Sequence, residues 1–174
     1  MRSLIDRLAE SSEGVSRDAQ EFVGRLTSSG GPVAIKKPSA KVLSLLKGTV
    51  RGNYHLYRGI GVIAARVPKD RVAEVNGLRE GDQLPGFLNK AAVYNQFASY
   101  SKKKSVARTY AEGRVSILVE AKVAASSVVV DLMNIDKVMP GVFSKDDLEY
   151  FKFDKEVIVL EPVGAKILSV KGSL

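Results

Sequence analysis

The chain has no cysteine, and its only histidine is His55. The first absence excludes disulfides, thiolate zinc sites and a cysteine nucleophile, so stability has to come from packing. The second argues against a multi-histidine metal centre and leaves no spare imidazole for a serine–histidine relay. His55 is expected to be a satisfied structural residue at a strand edge. Long hydrophobic runs are missing too. The stretch from Ala124 to Val130 contains serines and falls far short of the roughly 20 apolar residues that a membrane helix needs. At the N-terminus, Asp6, Arg7, Glu10 and Glu13 interrupt what would be the apolar core of a secretory signal, so export by the general route is not expected. There is also no internal repeat and no low-complexity tract.

What remains is the composition of an ordinary globular protein. The 174 residues, 45% hydrophobic and 26% charged, suit one domain over residues 1–174. A chain of that size buries roughly 70% of its unfolded surface. The formal charge of +8 points to an anionic partner: nucleic acid, acidic membrane, a phosphate-bearing small molecule or an acidic protein surface.

Residues 1–50 read as a helical lead-in and 51–174 as the sheet core. Leu4, Ile5 and Leu8 form one apolar stripe and Phe22, Val23 and Leu26 another, with a break expected at Ser11-Ser12-Glu13-Gly14 between two short helices. Ser28 to Pro32 reads as a linker. Ser39 is placed to cap a further helix carrying Val42, Leu43 and Leu46, with Gly48 as its C′ residue. Strands are expected at Tyr54–Ile60, Val115–Val123, Ser127–Leu132, Glu156–Leu160 and Ala165–Val170. Residues 63–86 read as a loop with at most one short helix, and Ser105 to Ala111 as the start of another. Helices first and strands later imply an α+β protein with mostly antiparallel sheet.

Three pieces carry chemistry: Tyr57-Arg58-Gly59, Phe97-Ala98-Ser99-Tyr100-Ser101 and Asp154-Lys155-Glu156. In a strand, Asp154 and Glu156 project to one side, setting two carboxylates toward one cleft, which is useful where positive charge develops in a reaction. Their order and context resemble the arginine-serine-glutamate class of mono-ADP-ribosyltransferases, found among bacterial toxins, phage enzymes and vertebrate ectoenzymes. Ser105 to Ala111 resembles the helix that follows the family's serine strand. Glu156 to Val170 resembles its closing hairpin, so the likeness spans roughly Tyr54 to Val170.

The resemblance implies two packed, mostly antiparallel sheets with NAD in the cleft between them. It implies cleavage of the nicotinamide–ribose bond of NAD, as co-substrate and without a metal, and transfer of ADP-ribose to a macromolecule. Slow NAD hydrolysis is the expected side reaction. Glu156 would face the developing charge. Ser99 would orient Glu156 and the ribose, and Arg58 would hold phosphate or ribose through its fork of donors, with Tyr57, Gly59 and Ser101 completing the NAD site and Ser101 also supporting its strand. Asp154 stands where arginine-modifying members usually carry glutamate and members that modify asparagine or certain bases carry glutamine; it departs from both, and as an acid it would serve the acceptor. By the same likeness Phe151 and Phe153 sit in the loop before the acid pair, where they would recognise that acceptor or simply pack. A protein side chain is expected, arginine favoured, with RNA or DNA as the alternative. By family analogy the chain fits a bacterial toxin or effector domain, secreted or delivered into a target cell and acting in its cytoplasm, or a phage enzyme, and an immunity protein is a further expected partner class.

Two rivals compete with this reading. Gly59-Ile60-Gly61-Val62-Ile63-Ala64 matches a dinucleotide fingerprint, with Glu80 at about the right distance, but Val72 to Glu80 lacks the second apolar strand that such a unit requires. Lys36-Lys37 and Lys102-Lys103-Lys104, near Tyr94, Tyr100 and Tyr110, would suit a non-catalytic nucleic-acid-binding domain.

Overall fold

One continuous helix of 24 residues, α1 (Leu4–Thr27), stands where two short helices were expected. Gly14 meets no other atom within 4 Å of where a Cβ would sit, so it leaves a gap on the helix surface without ending the helix. In its second half Ala19, Phe22 and Val23 are buried. The Phe22 ring meets Phe97 edge-on at 5.3 Å. This computed structural model describes residues 4–27, 38–91, 97–160 and 164–174. The expected linker from Ser28, Lys36, Lys37, Tyr94, Pro162 and Val163 lie outside the described residues, as do the side chains of Leu4, Ile5 and Leu8.

The helix α2 (Ala40–Lys47) starts as expected, with Ser39 accepting a 3.3 Å hydrogen bond from the Val42 amide. It ends differently. Gly48 is right-handed at φ −57 and is not a left-handed C′ residue. A Cβ there would lie 3.1 Å from Val138 Cγ1, so the glycine serves close packing.

The strands β1 (Tyr54–Val62), β2 (Phe97–Ser101), β3 (Val115–Val123), β4 (Val128–Asp131), β5 (Glu156–Leu160) and β6 (Lys166–Lys171) form one six-stranded sheet in the order β4-β5-β2-β1-β3-β6. Every pairing between these strands is antiparallel. The α+β class is therefore as the sequence indicates, whereas the two packed sheets are corrected to one. The physical reason is a single link: Tyr57 of β1 pairs with Ser101 of β2 and joins two three-stranded halves. The expected closing hairpin is corrected as well. β5 pairs with β2 and β4, β6 pairs with β3, and the chain crosses from one half to the other between them.

Alternation along the strands sends residues to two cores on opposite faces. Leu56, Ile60 and Val62 join Ile117, Val119, Val157 and Val159 in the first. Phe97 and Ile158 join α1, α2 and Phe151 in the second. The remaining helices are short: α3 (Val72–Gly77), α4 (Gly86–Ala91), α5 (Lys104–Thr109), α6 (Ile135–Val138) and α7 (Lys145–Asp154). Among the described residues, no helix is long and apolar enough to cross a membrane.

The dinucleotide-like glycines have a packing role. A Cβ on Gly59 would lie 2.1 Å from the Ala107 carbonyl oxygen, and one on Gly61 would lie 1.6 Å from that of Glu112. Glycine here lets α5 and the segment after it cross directly over β1. The strand runs into a 3-10 turn at Ala64–Arg66, with no nucleotide-binding helix.

The end of β2 is tied down by a buried carboxylate. Asp131, with its side chain 1% exposed, accepts from Lys102 Nζ at 2.6 Å, Asn134 Nδ2 at 2.9 Å and the Tyr54 hydroxyl at 3.0 Å. Lys102 Nζ also lies 5.1 Å from the centre of the Tyr54 ring. Removing the cation strands a buried charge, which typically costs about 3 kcal/mol or more. Lys102→Met is expected to lower the stability measured by urea denaturation by roughly that amount, and a change below about 1 kcal/mol would show the network to be dispensable.

Candidate active site

Continuing the β1–β2 register past Tyr57 and Ser101 would set Arg58 opposite Tyr100 and Gly59 opposite Ser99. The pairing stops at Tyr57 and Ser101, and a cavity of about 350 Å³ opens there. That volume is within the range of small-molecule sites. Its walls bring together Tyr57, Arg58, Gly59, Ser99, Ser101, Asp154 and Glu156 from three distant stretches of sequence.

Glu156 opens β5 and is 8% exposed. Ser99 Oγ donates a short hydrogen bond to Glu156 Oε1. Both side chains lie on one face, because Ser101 is paired with Glu156 and Ser99 with Ile158, which makes Ser99 and Glu156 diagonal neighbours. Burial pushes the Glu156 carboxyl up to about 7; the Ser99 bond opposes the shift, and the charge of Asp154 adds to it.

Arg58 stands in phase with Leu56, Ile60 and Val62, in a row that otherwise fills the first core, and is itself only 8% exposed. Its guanidinium lies over the Tyr100 ring, 5.5 Å from the centroid. The two rows of side chains, Arg58 with Tyr100 and Ser99 with Glu156, both reach the cavity because it forms where the sheet parts.

Asp154 and Glu156 do not alternate along one strand. Asp154 is the last residue of α7, Lys155 takes the left-handed conformation at φ 50, and Glu156 begins β5. A tight reversal brings the two acids to one cavity. Ser101 pins that reversal: its hydroxyl donates to the Asp154 carbonyl at 2.6 Å and accepts from the Lys103 amide at 3.0 Å. The Lys102 amide donates to the Lys155 carbonyl at 3.1 Å. Ser101 thus supports the end of its strand, the role the family likeness implied for it beside NAD binding.

Phe151 and Phe153 lie in α7 and not in a loop. The helix is fixed by a capping box between Ser144 and Asp147. Its inward face buries Phe151 at 4% exposure, edge-on to Phe143 at 5.6 Å, so acceptor recognition by Phe151 is corrected to core packing. Phe153 is 71% exposed and points away from that core, and it is absent from the cavity wall. His55 is satisfied as expected, with Nε2 2.8 Å from Glu120 Oε2.

Sequence reasoning missed the end of α1 and two tyrosines of the cavity wall. Leu26 and Thr27 bring the end of α1 to the cavity, and Tyr110 and Tyr150 form its mouth. The Tyr110 hydroxyl donates to Asp154 Oδ2 at 2.6 Å and lies 3.4 Å from the Tyr150 hydroxyl. Burial first, then the bond to Asp154, holds the Tyr110 phenol well above its usual value. Tyr150 was within reach of sequence reasoning, since it precedes Asp154 by one helical turn and shares its face. Among the described residues, no group of three or more His, Asp or Glu side chains is placed to hold a metal.

Neither protein-family models, curated proteins nor solved structures match this chain.

A carboxyl whose folded value lies above its unfolded one contributes stability that is full below about pH 4.5 and lost as pH rises through about 7. Glu156→Gln does not titrate. It is expected to gain on the order of 2–3 kcal/mol relative to the parent chain between pH 4.5 and pH 8, read by denaturation at both values. A stability difference that does not vary with pH would mean that Glu156 ionises as easily folded as unfolded.

Proposed function

We propose that this chain is an NAD-dependent mono-ADP-ribosyltransferase, acting as an effector in the cytoplasm of a target cell. The observation that carries the reading is the buried Glu156 carboxyl, held by Ser99 in a cavity that Arg58 also lines. Cleavage of the nicotinamide–ribose bond sends the bonding electrons to the leaving nicotinamide and leaves positive charge on the ribose. A preorganised carboxylate in a site largely shielded from water stabilises that charge most effectively. The positive charge of the bound pyridinium also favours the ionised form of Glu156. Ser99 restrains the carboxylate, so little reorganisation is left for the reaction step. Arg58 supplies planar, paired donors to the anionic half of the substrate, and its contact with Tyr100 limits its freedom.

On the acceptor side, the reading is an arginine side chain of a protein. A guanidinium suits a mouth built from two aromatic rings with a carboxylate behind them. Water that takes the acceptor's place yields NAD hydrolysis.

Glu156→Gln is expected to lower NAD cleavage about 100-fold or more while leaving the fold intact, measured by nicotinamide release and circular dichroism. In the parent chain, kcat/KM for NAD is expected to rise with pH through about 7, following ionisation of Glu156, and to lose that dependence in the variant. Retention of cleavage in the variant sinks the proposal. Arg58→Lys keeps the charge but loses the fork, and it is expected to raise KM for NAD about tenfold in steady-state assays. An unaltered KM would remove Arg58 from the NAD site.

A further inference from the structure

The position expected to serve the acceptor directly is covered. Asp154 is 5% exposed, and its Oδ2 is engaged by the Tyr110 hydroxyl at 2.6 Å. Tyr110 is 54% exposed and lines the cavity. An acceptor entering from solvent therefore meets the phenol before it meets the carboxylate. Because the Tyr110 proton lies in its bond to Asp154, the phenol oxygen keeps acceptor capacity for an incoming N–H. Tyr150, 45% exposed with its hydroxyl 3.4 Å from that of Tyr110, adds a second ring to the same wall.

We propose that Tyr110 contacts the acceptor and relays its proton to Asp154, so that Asp154 serves the transfer through Tyr110. This rests on the transferase reading of the cavity. In the step, the glycosidic C–N bond breaks and its electron pair departs with nicotinamide, which becomes neutral. A proton of the incoming guanidinium passes to the Tyr110 oxygen as the Tyr110 proton passes to Asp154. The nitrogen pair so released forms the new bond to the ribose carbon. Tyr110 ends unchanged, Asp154 holds one proton to return to water, and the positive charge of the ribosyl cation resides on the product guanidinium. No oxidant or further reactant is required. NAD hydrolysis depends less on the relay, because water can lose its proton to bulk solvent after attack.

Two substitutions separate a relay from a directly acting carboxylate. Asp154→Asn keeps a carbonyl oxygen for the Tyr110 bond but has no basicity, and Tyr110→Phe removes the relay while uncovering Asp154. The full chain is incubated with labelled NAD and a short peptide whose only nucleophilic side chain is arginine, and peptide labelling and free ADP-ribose are followed together. Each variant is expected to lower the ratio of transfer to hydrolysis at least tenfold, with the loss in kcat for transfer and not in KM for NAD. The double variant is expected to fall no further than the worse single one, as two members of one relay do.

A ratio in Tyr110→Phe equal to or above that of the parent chain would overturn the relay and restore Asp154 as the direct base. Multiplicative losses in the double variant would also overturn it. So would a parent chain that cleaves NAD but leaves the peptide unlabelled, including one that labels RNA or DNA instead. A parent chain that does not cleave NAD at all removes the transferase reading itself, and the relay with it.

Discussion

A carboxyl group kept from water at a parting of the sheet is the constraint around which this molecule is arranged. Glu156 is 8% exposed, and burial raises the free-energy cost of its ionised form. A chain selected for stability alone would fill that position with an apolar side chain, as it does at Val157, Ile158 and Val159 on the same strand. What keeps the acid in place is its partner Ser99 and the junction on which it stands. The sheet itself makes room: β1 pairs with β3 along its full length but meets β2 at Tyr57 and Ser101, and the cavity occupies the space that further pairing would have closed.

The geometry of the cavity is set by contacts around the junction between α7 and β5. Lys155 turns the end of α7 directly into β5, and Ser101 and the Lys102 amide fasten that turn to β2. The Lys102 side chain then ties the same strand end to Asp131, whose other donors come from β1 and from the turn after β4. Backbone and side chain of two successive residues thus connect the acid pair to the rest of the fold. In the transferase proposed above, displacing that carboxylate by about 1 Å would cost a large factor in rate, so these supporting contacts would matter as much as the acid they hold.

The two acids of the cavity have been given different surroundings. Glu156 lies beside a serine hydroxyl, with its carboxyl pushed up to about 7. Asp154 is capped by a phenol that stays protonated. Such contrasting environments would let the two acids of the proposed transferase take distinct tasks.

Much of this was legible in the sequence. The apolar runs marked the strands at Val115–Val123 and Glu156–Leu160 because side-chain alternation and β-branched residues act locally. Ser39 announced its helix through a bond to an amide three residues on. Arg58, Ser99 and Glu156 stood out by residue type and order. The seam, by contrast, depends on where one strand stops pairing with another, and no local pattern records that. Tyr110 reaches Asp154 across 44 residues, and Phe151 turns inward because α7 has a buried face, where the family likeness implied a loop. Residue chemistry is written position by position, whereas which side chains share a cavity is decided by packing over the whole chain, and only the tertiary structure carries that.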